Sequence, residues 1–140
     1  MHFMKAETIS KCFIAAGLSN ILGVLILSRL FTNEVMMNTQ PEVMGYFGLI
    51  SIILWGFAYI AVSTNYDKVP WLILVFTVEK VIYVSVYLKW FMSHSLSEVY
   101  DQDMFAGIFY TIYGLNDFIW MVFFGYILGK IKSIKEFGAQ

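Results

Sequence analysis

Four long apolar runs separated by short polar stretches restrict the folds open to this 140-residue chain more than any other feature. They lie at about 11–31, 43–63, 70–92 and 104–130. A helix of roughly 20 apolar residues crosses the ~30 Å hydrocarbon core of a bilayer. The backbone has no water to bond there, so runs of this length are expected to be helices. Charged residues are 14% of the chain and hydrophobic ones 59%, against about 25% and 45–50% in soluble domains. Short connections make successive helices antiparallel neighbours. The expectation is a single all-α domain over 1–140, an integral membrane four-helix up-down-up-down bundle.

The boundaries carry their own signals. The first run follows Lys5 and Lys11, which invites comparison with a signal peptide. It exceeds the usual apolar core of one, and "RLFTNEVMM" offers no small-residue cleavage site, so it reads as a retained helix. Pro41 and Pro70 stand at helix starts, where a missing N–H costs nothing; Glu42 complements the dipole and Asp67 is a candidate cap. "NEVMMNTQPEVMG" reads as a structural edge in preference to an interfacial helix. "KIKSIKEFGAQ" reads as a basic helical tail on the inner headgroups.

Lysine and arginine are unevenly placed. One side holds Lys5, Lys11, Lys68, Lys130, Lys132 and Lys135. The other has Arg29 and Lys89 beside Glu34, Glu42, Glu98, Asp101 and Asp103. The positive-inside bias then puts both termini in the cytoplasm of a multi-pass protein of the plasma (cytoplasmic or inner) membrane. A net charge of −1 argues against a nucleic-acid partner. Cys12 is the single cysteine, and His2 and His94 are far apart. Disulfide, zinc and bis-histidine haem chemistry are therefore disfavoured, and no cofactor or metal is expected.

Charged groups inside the third and fourth runs point to a site. With about 1.5 Å of rise per residue, Asn20, Trp55, Glu79, Lys80, Tyr83, Asn116 and Asp117 all fall near the middle of their runs. Intramembrane acids and bases mark functional sites by default, because burying an unpaired charge is costly. Glu79, Asp117 and Lys80 are the candidates for acid/base or ion-pairing work. Asn20, Trp55, Tyr59, Tyr83, Asn116 and Trp120 are the candidates for ligand contact. The alternative is interhelical glue, although such contacts are worth only about 0.6 kcal/mol on average. Glu79 and Lys80 are about 100° apart on a helix, so neither is well placed to neutralise the other. Two acids and one base leave one excess negative charge if all ionise, so one carboxyl is expected to hold its proton at neutral pH, an arrangement suited to proton transfer or to binding an amine. Trp71 and Trp90 occupy belt positions. Ala15, Ser19 and Gly23 form a small-residue row for close helix approach, with Gly125 and Gly129 as a second one.

Mid-membrane carboxylates on the third and fourth of four spans, with "VEK" in one and "GLND" followed by Trp120 in the other, resemble the emopamil-binding and sigma-2 receptor (EXPERA-like) class. That resemblance implies a lipid-facing cavity where acidic residues meet amines or sterols; one branch isomerises a sterol double bond. The bend-forming prolines of that class have no counterpart in the middles of these spans. Small multidrug exporters also have four spans, but carry their essential carboxylate on the first, where this chain has Asn20. Three readings follow. One is a binder, or an enzyme, for a hydrophobic or amphipathic small molecule among membrane lipid. Another is a non-catalytic subunit or assembly factor of a larger membrane complex. The third is a proton-coupled transporter acting as a homo-oligomer.

Overall fold

A computed structural model describes residues 4–138, so His2 and the last residues of the basic tail lie outside it. The elements are α1 (Ala6–Leu27), α2 (Glu34–Thr39), α3 (Pro41–Met44), α4 (Tyr46–Val62), a 3-10 turn (Tyr66–Lys68), α5 (Pro70–Ser93), α6 (Leu96–Gln102) and α7 (Met104–Gly138). The fold is all-α, with no strand among the described residues. Helices α1, α5 and α7 are long and apolar enough to cross a membrane; α4, with 17 residues, is apolar but shorter. The protein is a membrane protein by these three helices.

Two boundaries differ from the sequence expectation. The first helix stops at Leu27 because Arg29, Leu30 and Phe31 turn left-handed, with φ of 49°, 56° and 67°. Side chains disfavour that region by about 1–2 kcal/mol per residue, so specific bonds must hold it. Leu30 donates to the Leu25 carbonyl, the buried Ser28 hydroxyl accepts from the Phe31 N–H, and the Asn33 amide donates to the Leu27 carbonyl. The last carbonyls of α1 are thereby satisfied. The run at 43–63 is likewise not one helix. Gly45 is extended (ψ −178°) between α3 and α4. A Cβ on Gly48 would lie 1.7 Å from the Val43 carbonyl oxygen, so this bend requires glycine there.

The segment read as an edge is instead packed structure. Asn33 caps α2 by accepting from the Met36 N–H, and Met36, Met37 and Met44 are buried. With α6, these short helices roof one end of the bundle. Tyr110 donates to the Met36 carbonyl at 2.9 Å, fastening α7 to the roof. Asp103 joins the rest, accepting from the Ala106 N–H, the Asn33 amide and Arg29, each at 2.8 Å. Desolvation works to raise the Asp103 carboxyl, but those three donors outweigh it and hold it below the ordinary carboxylate value.

The long helices pack as two pairs, α1 with α4 and α5 with α7. In the first pair the backbones touch: a Cβ on Gly17 would fall 2.4 Å from the Gly56 carbonyl oxygen. The row Ala15, Ser19, Gly23 is not that contact. Ala15 is exposed, and a Cβ on Gly23 would meet nothing within 4 Å. Gly129 is equally open and Gly125 meets Thr77 alone, at 3.8 Å. The face of α1 that approaches α4 is rotated from the one expected, because it is set by Gly56 on the partner. In the second pair the ring of Tyr87 lies over Gly114, close enough to exclude a Cβ there. Trp71, 79% exposed, keeps the open surface that a belt residue needs. Trp90 does not: it is buried between His94 and Tyr110, with ring centroids 5.5 and 4.7 Å away.

Between the pairs the core divides in two. The half nearer the termini holds Ile9, Phe13, Tyr59, Ile73, Phe76 and Phe124 among its buried residues. The roofed half holds Met36, Met44, Leu49, Trp90, Tyr110 and Tyr113. The polar residues of the middle lie between them.

Candidate functional site

Each polar side chain in that middle is delivered by a face already apolar above and below it. On α5, Phe76 and Trp90 are buried on the stripe that carries Glu79, Lys80, Tyr83 and Tyr87. On α7, Tyr110, Tyr113, Asp117, Phe124 and Ile127 follow one another at helical spacing, all buried. Burying these stripes against each other brings Lys80 and Asp117 together across the helix pair, with Nζ to Oδ1 at 2.7 Å. Glu79 stands on the other side of the ammonium, its Oε1 3.8 Å from Nζ. The expectation that Glu79 and Lys80 are poorly placed to neutralise each other is thus met in part: Lys80 bonds Asp117 directly and holds Glu79 at ion-pair distance. The reason is the flexible lysine stem, which swings its head between the two acids.

The rest of the constellation supports this triad. Tyr59 of α4 donates to Glu79 Oε2 at 2.5 Å, crossing from one helix pair to the other. The ammonium of Lys80 lies 5.3 Å from the Tyr59 ring centroid and 5.9 Å from that of Tyr83, within cation–π range. Glu79, Lys80 and Asp117 are 6%, 1% and 6% exposed. Asn20 of α1 donates to the Ile52 carbonyl of α4 at 3.1 Å, and Trp120 donates to Asn116 at 2.9 Å. A buried ion pair gives back little net stability once desolvation is counted. This one has three members, so stability alone explains it poorly.

A cavity of about 70 Å³ lies against the triad. Of the sequence candidates, Asn20, Glu79, Lys80, Tyr83, Asn116 and Asp117 line it. Trp55, Tyr59 and Trp120 do not. Trp55 packs edge-on to Phe76 at 6.1 Å, Trp120 to Phe123 at 5.6 Å, and Tyr59 reaches the site through its hydrogen bond to Glu79 and its ring beside Lys80. Met44, Phe109 and Tyr113 complete the wall on the roofed side. Met44 had no sequence signal as a lining residue, because the bend at Gly45 that brings α3 inward has no signature in hydropathy. The cavity rim on α1 is Ser19, Gly23 and Leu27, and on α7 Ile112 and Asn116; all five are at least partly exposed. Helices α1 and α7 touch each other much less than either touches its own partner. Towards the termini, the fully buried rings of Phe13, Tyr59, Phe76 and Phe124 close the space below.

Among the described residues no cluster of three or more His, Cys, Asp or Glu could hold a metal ion. The chain matches no protein family, no curated protein and no solved structure.

Proposed function

We propose that this protein binds the protonated amine of an amphipathic small molecule in its mid-membrane cavity, with the apolar tail left in the lipid between α1 and α7. The observation that carries this reading is the cavity wall of two carboxylates and one ammonium, Glu79, Asp117 and Lys80, beside a rim on α1 and α7. Fully ionised, the triad has one negative charge in excess, and a ligand ammonium would complete it. At about 70 Å³ the cavity is far below the ~300 Å³ of a site that encloses a drug-sized ligand. It suits a headgroup, not a whole sterol. The reading thus keeps the amine-binding side of the resemblance to the emopamil-binding class and sets sterol isomerisation aside.

Four spans belong to the same proposal. Phe47, Ile50, Leu54 and Phe57 form an exposed apolar face on α4, continuous in character with Ile14, Leu18, Leu22 and Ile26 on α1. Water would leave both faces unfavourably solvated, while hydrocarbon would cover them. The lysines at the terminal end support a topology with both termini in the cytoplasm, in keeping with a plasma or inner membrane. In a Cys12→Ser background, cysteines introduced at the exposed Asn38 and Ser97 should label from the non-cytoplasmic side. Labelling from the cytoplasm would reverse the topology.

The binding test uses the full chain in lipid nanodiscs, with a fluorescent long-chain alkylamine and the alcohol of equal length. Preference for the amine is expected, and its loss in the Glu79→Gln, Asp117→Asn double variant. Equal binding of amine and alcohol by the unaltered protein would refute the reading. The small cavity volume favours a second reading, a structural subunit whose polar layer fixes helix register, and that outcome would leave it standing. A transporter is less well supported, since buried aromatic rings fill the space between the layer and the terminal end.

A further inference from the structure

A second concave site lies at the terminal end, outside the polar layer. Trp71 and Leu74 of α5 face Leu128, Ile131, Lys132 and Lys135 of α7 across a groove of about 220 Å³. Its walls are apolar and its two charged residues are both lysines, one helical turn apart on the same side of α7. The groove also lies at the N-terminal, positive end of α5, whose first turn carries no acidic residue. Asp67, in the turn before α5, is exposed and is not part of the wall.

Depth decides what such a groove can meet. Trp71 is the second residue of the α5 span, and Lys132 is the next to last of the α7 span, Met104–Ser133. The mouth is therefore at headgroup level, where the 79% exposed Trp71 ring is at home. Apolar walls continue from there toward the hydrocarbon through Leu74 and Leu128. Positive charge at the headgroups above an apolar cleft between two spans complements one kind of molecule, an anionic amphiphile.

We propose that this groove holds an anionic phospholipid of the adjoining leaflet, its phosphate between Lys132 and Lys135 and its first acyl carbons against Leu74, Leu128 and Ile131. The proposal rests on the membrane placement of α5 and α7 and not on the amine-binding reading, so either can fail alone. Bound lipid would pin the end of α7 to the start of α5, and would explain why two lysines are spent on one short face of a helix end.

Native mass spectrometry of the detergent-solubilised full chain tests this, with phosphatidylglycerol and phosphatidylcholine of identical acyl chains. Preferential retention of phosphatidylglycerol is expected. The Lys132→Gln, Lys135→Gln variant should lose roughly thirtyfold in that preference, about fivefold per lysine. The corresponding double arginine variant should keep it. Lys5→Gln with Lys11→Gln, at the same end of the bundle but outside the groove, should change it less than twofold. Equal loss in that control would show diffuse attraction to the basic end and overturn the site. Displacement of the lipid by millimolar inorganic phosphate would show a free-anion site and overturn the lipid assignment. Because both lysines are exposed, their variants should melt at the unaltered temperature, which separates lost binding from lost fold.

Discussion

The two halves of the molecule draw on the same helices, α1, α4, α5 and α7, but close in different ways. Toward the termini, aromatic rings from all four fill the middle: Phe13, Tyr59, Phe76 and Phe124 lie with centroids between 4.8 and 5.5 Å for the neighbouring pairs Tyr59–Phe76, Tyr59–Phe124, Phe76–Phe124 and Phe13–Phe124. No hydrogen bond is required of them, apart from the Tyr59 hydroxyl that points up to Glu79. The roofed half lacks enough helix to close itself, since α1 ends at Leu27 and α4 begins at Tyr46. It borrows α2, α3 and α6 and fastens them with polar bonds through Asn33, Asp103 and Tyr110. The lesson is that dry ring packing leaves no void beside the polar layer, whereas a roof assembled from short pieces leaves one. The cavity lies on the roofed side for that reason.

The largest effect is expected where the halves meet. Lys80→Met removes the cation that faces two buried carboxylates and should cost about 3–5 kcal/mol, read as a fall in the thermal or denaturant midpoint in detergent. Adding Glu79→Gln and Asp117→Leu to that variant should recover most of the loss, because no unpaired charge remains. If Lys80→Met alone were silent, the layer would not hold the halves together.

The next effect belongs to the dry half. Gly17→Ala places a methyl 2.4 Å from the Gly56 carbonyl oxygen and 2.5 Å from the Ile60 side chain. Prising α1 from α4 should cost about 1–3 kcal/mol. A smaller effect is expected in the roof. Asp103→Ala removes the α7 cap together with the Asn33 and Arg29 contacts, and should cost about 1–2 kcal/mol. Because the folded carboxyl is held below its ordinary value, its contribution is complete above about pH 4. It is lost as pH falls through the folded value. Hydrogen-exchange protection at the amides of 103–107, taken relative to intrinsic exchange at each pH, should therefore fall on acidification in the unaltered protein. In Asp103→Asn, which has no carboxyl to titrate, that protection should not change with pH. An identical acid response in both would place the sensitivity elsewhere.

What could be read from the sequence follows the same division. Glu79, Lys80 and Asp117 were visible as a layer because a charge inside an apolar run is conspicuous whatever surrounds it. The stripes of α5 and α7, Phe76–Tyr83–Trp90 and Tyr113–Asp117–Phe124, are legible in residue spacing because burial on a long helix repeats every 3.6 residues. Leu30 and Phe31 gave no warning that the first helix had ended. Both are apolar, and their left-handed backbone is imposed by Ser28 and Asn33. Gly45 hid the start of α4 for a similar reason, since the residues on both sides of it are apolar. Gly17 and Gly23 are six positions apart on one helix, and deciding which of them meets a partner requires knowing where Gly56 lies.

Those two glycines give the finest test of the comparison. Gly17 faces a backbone and Gly23 faces open space at the cavity rim. Substituting alanine at position 23 should therefore leave packing unchanged and stabilise α1 by up to about 1 kcal/mol, through helix propensity. The same substitution at position 17 has the opposite sign. A larger residue sharpens the point: Gly23→Leu should narrow the opening between α1 and α7 with a stability change of less than about 1 kcal/mol. In the alkylamine assay it should slow association without altering the preference for amine over alcohol, because Glu79, Lys80 and Asp117 remain in place. Unchanged association would mean that the headgroup does not pass Gly23. Lost preference with unchanged stability would mean that the substitution reaches the triad, which is not expected of a side chain at the rim.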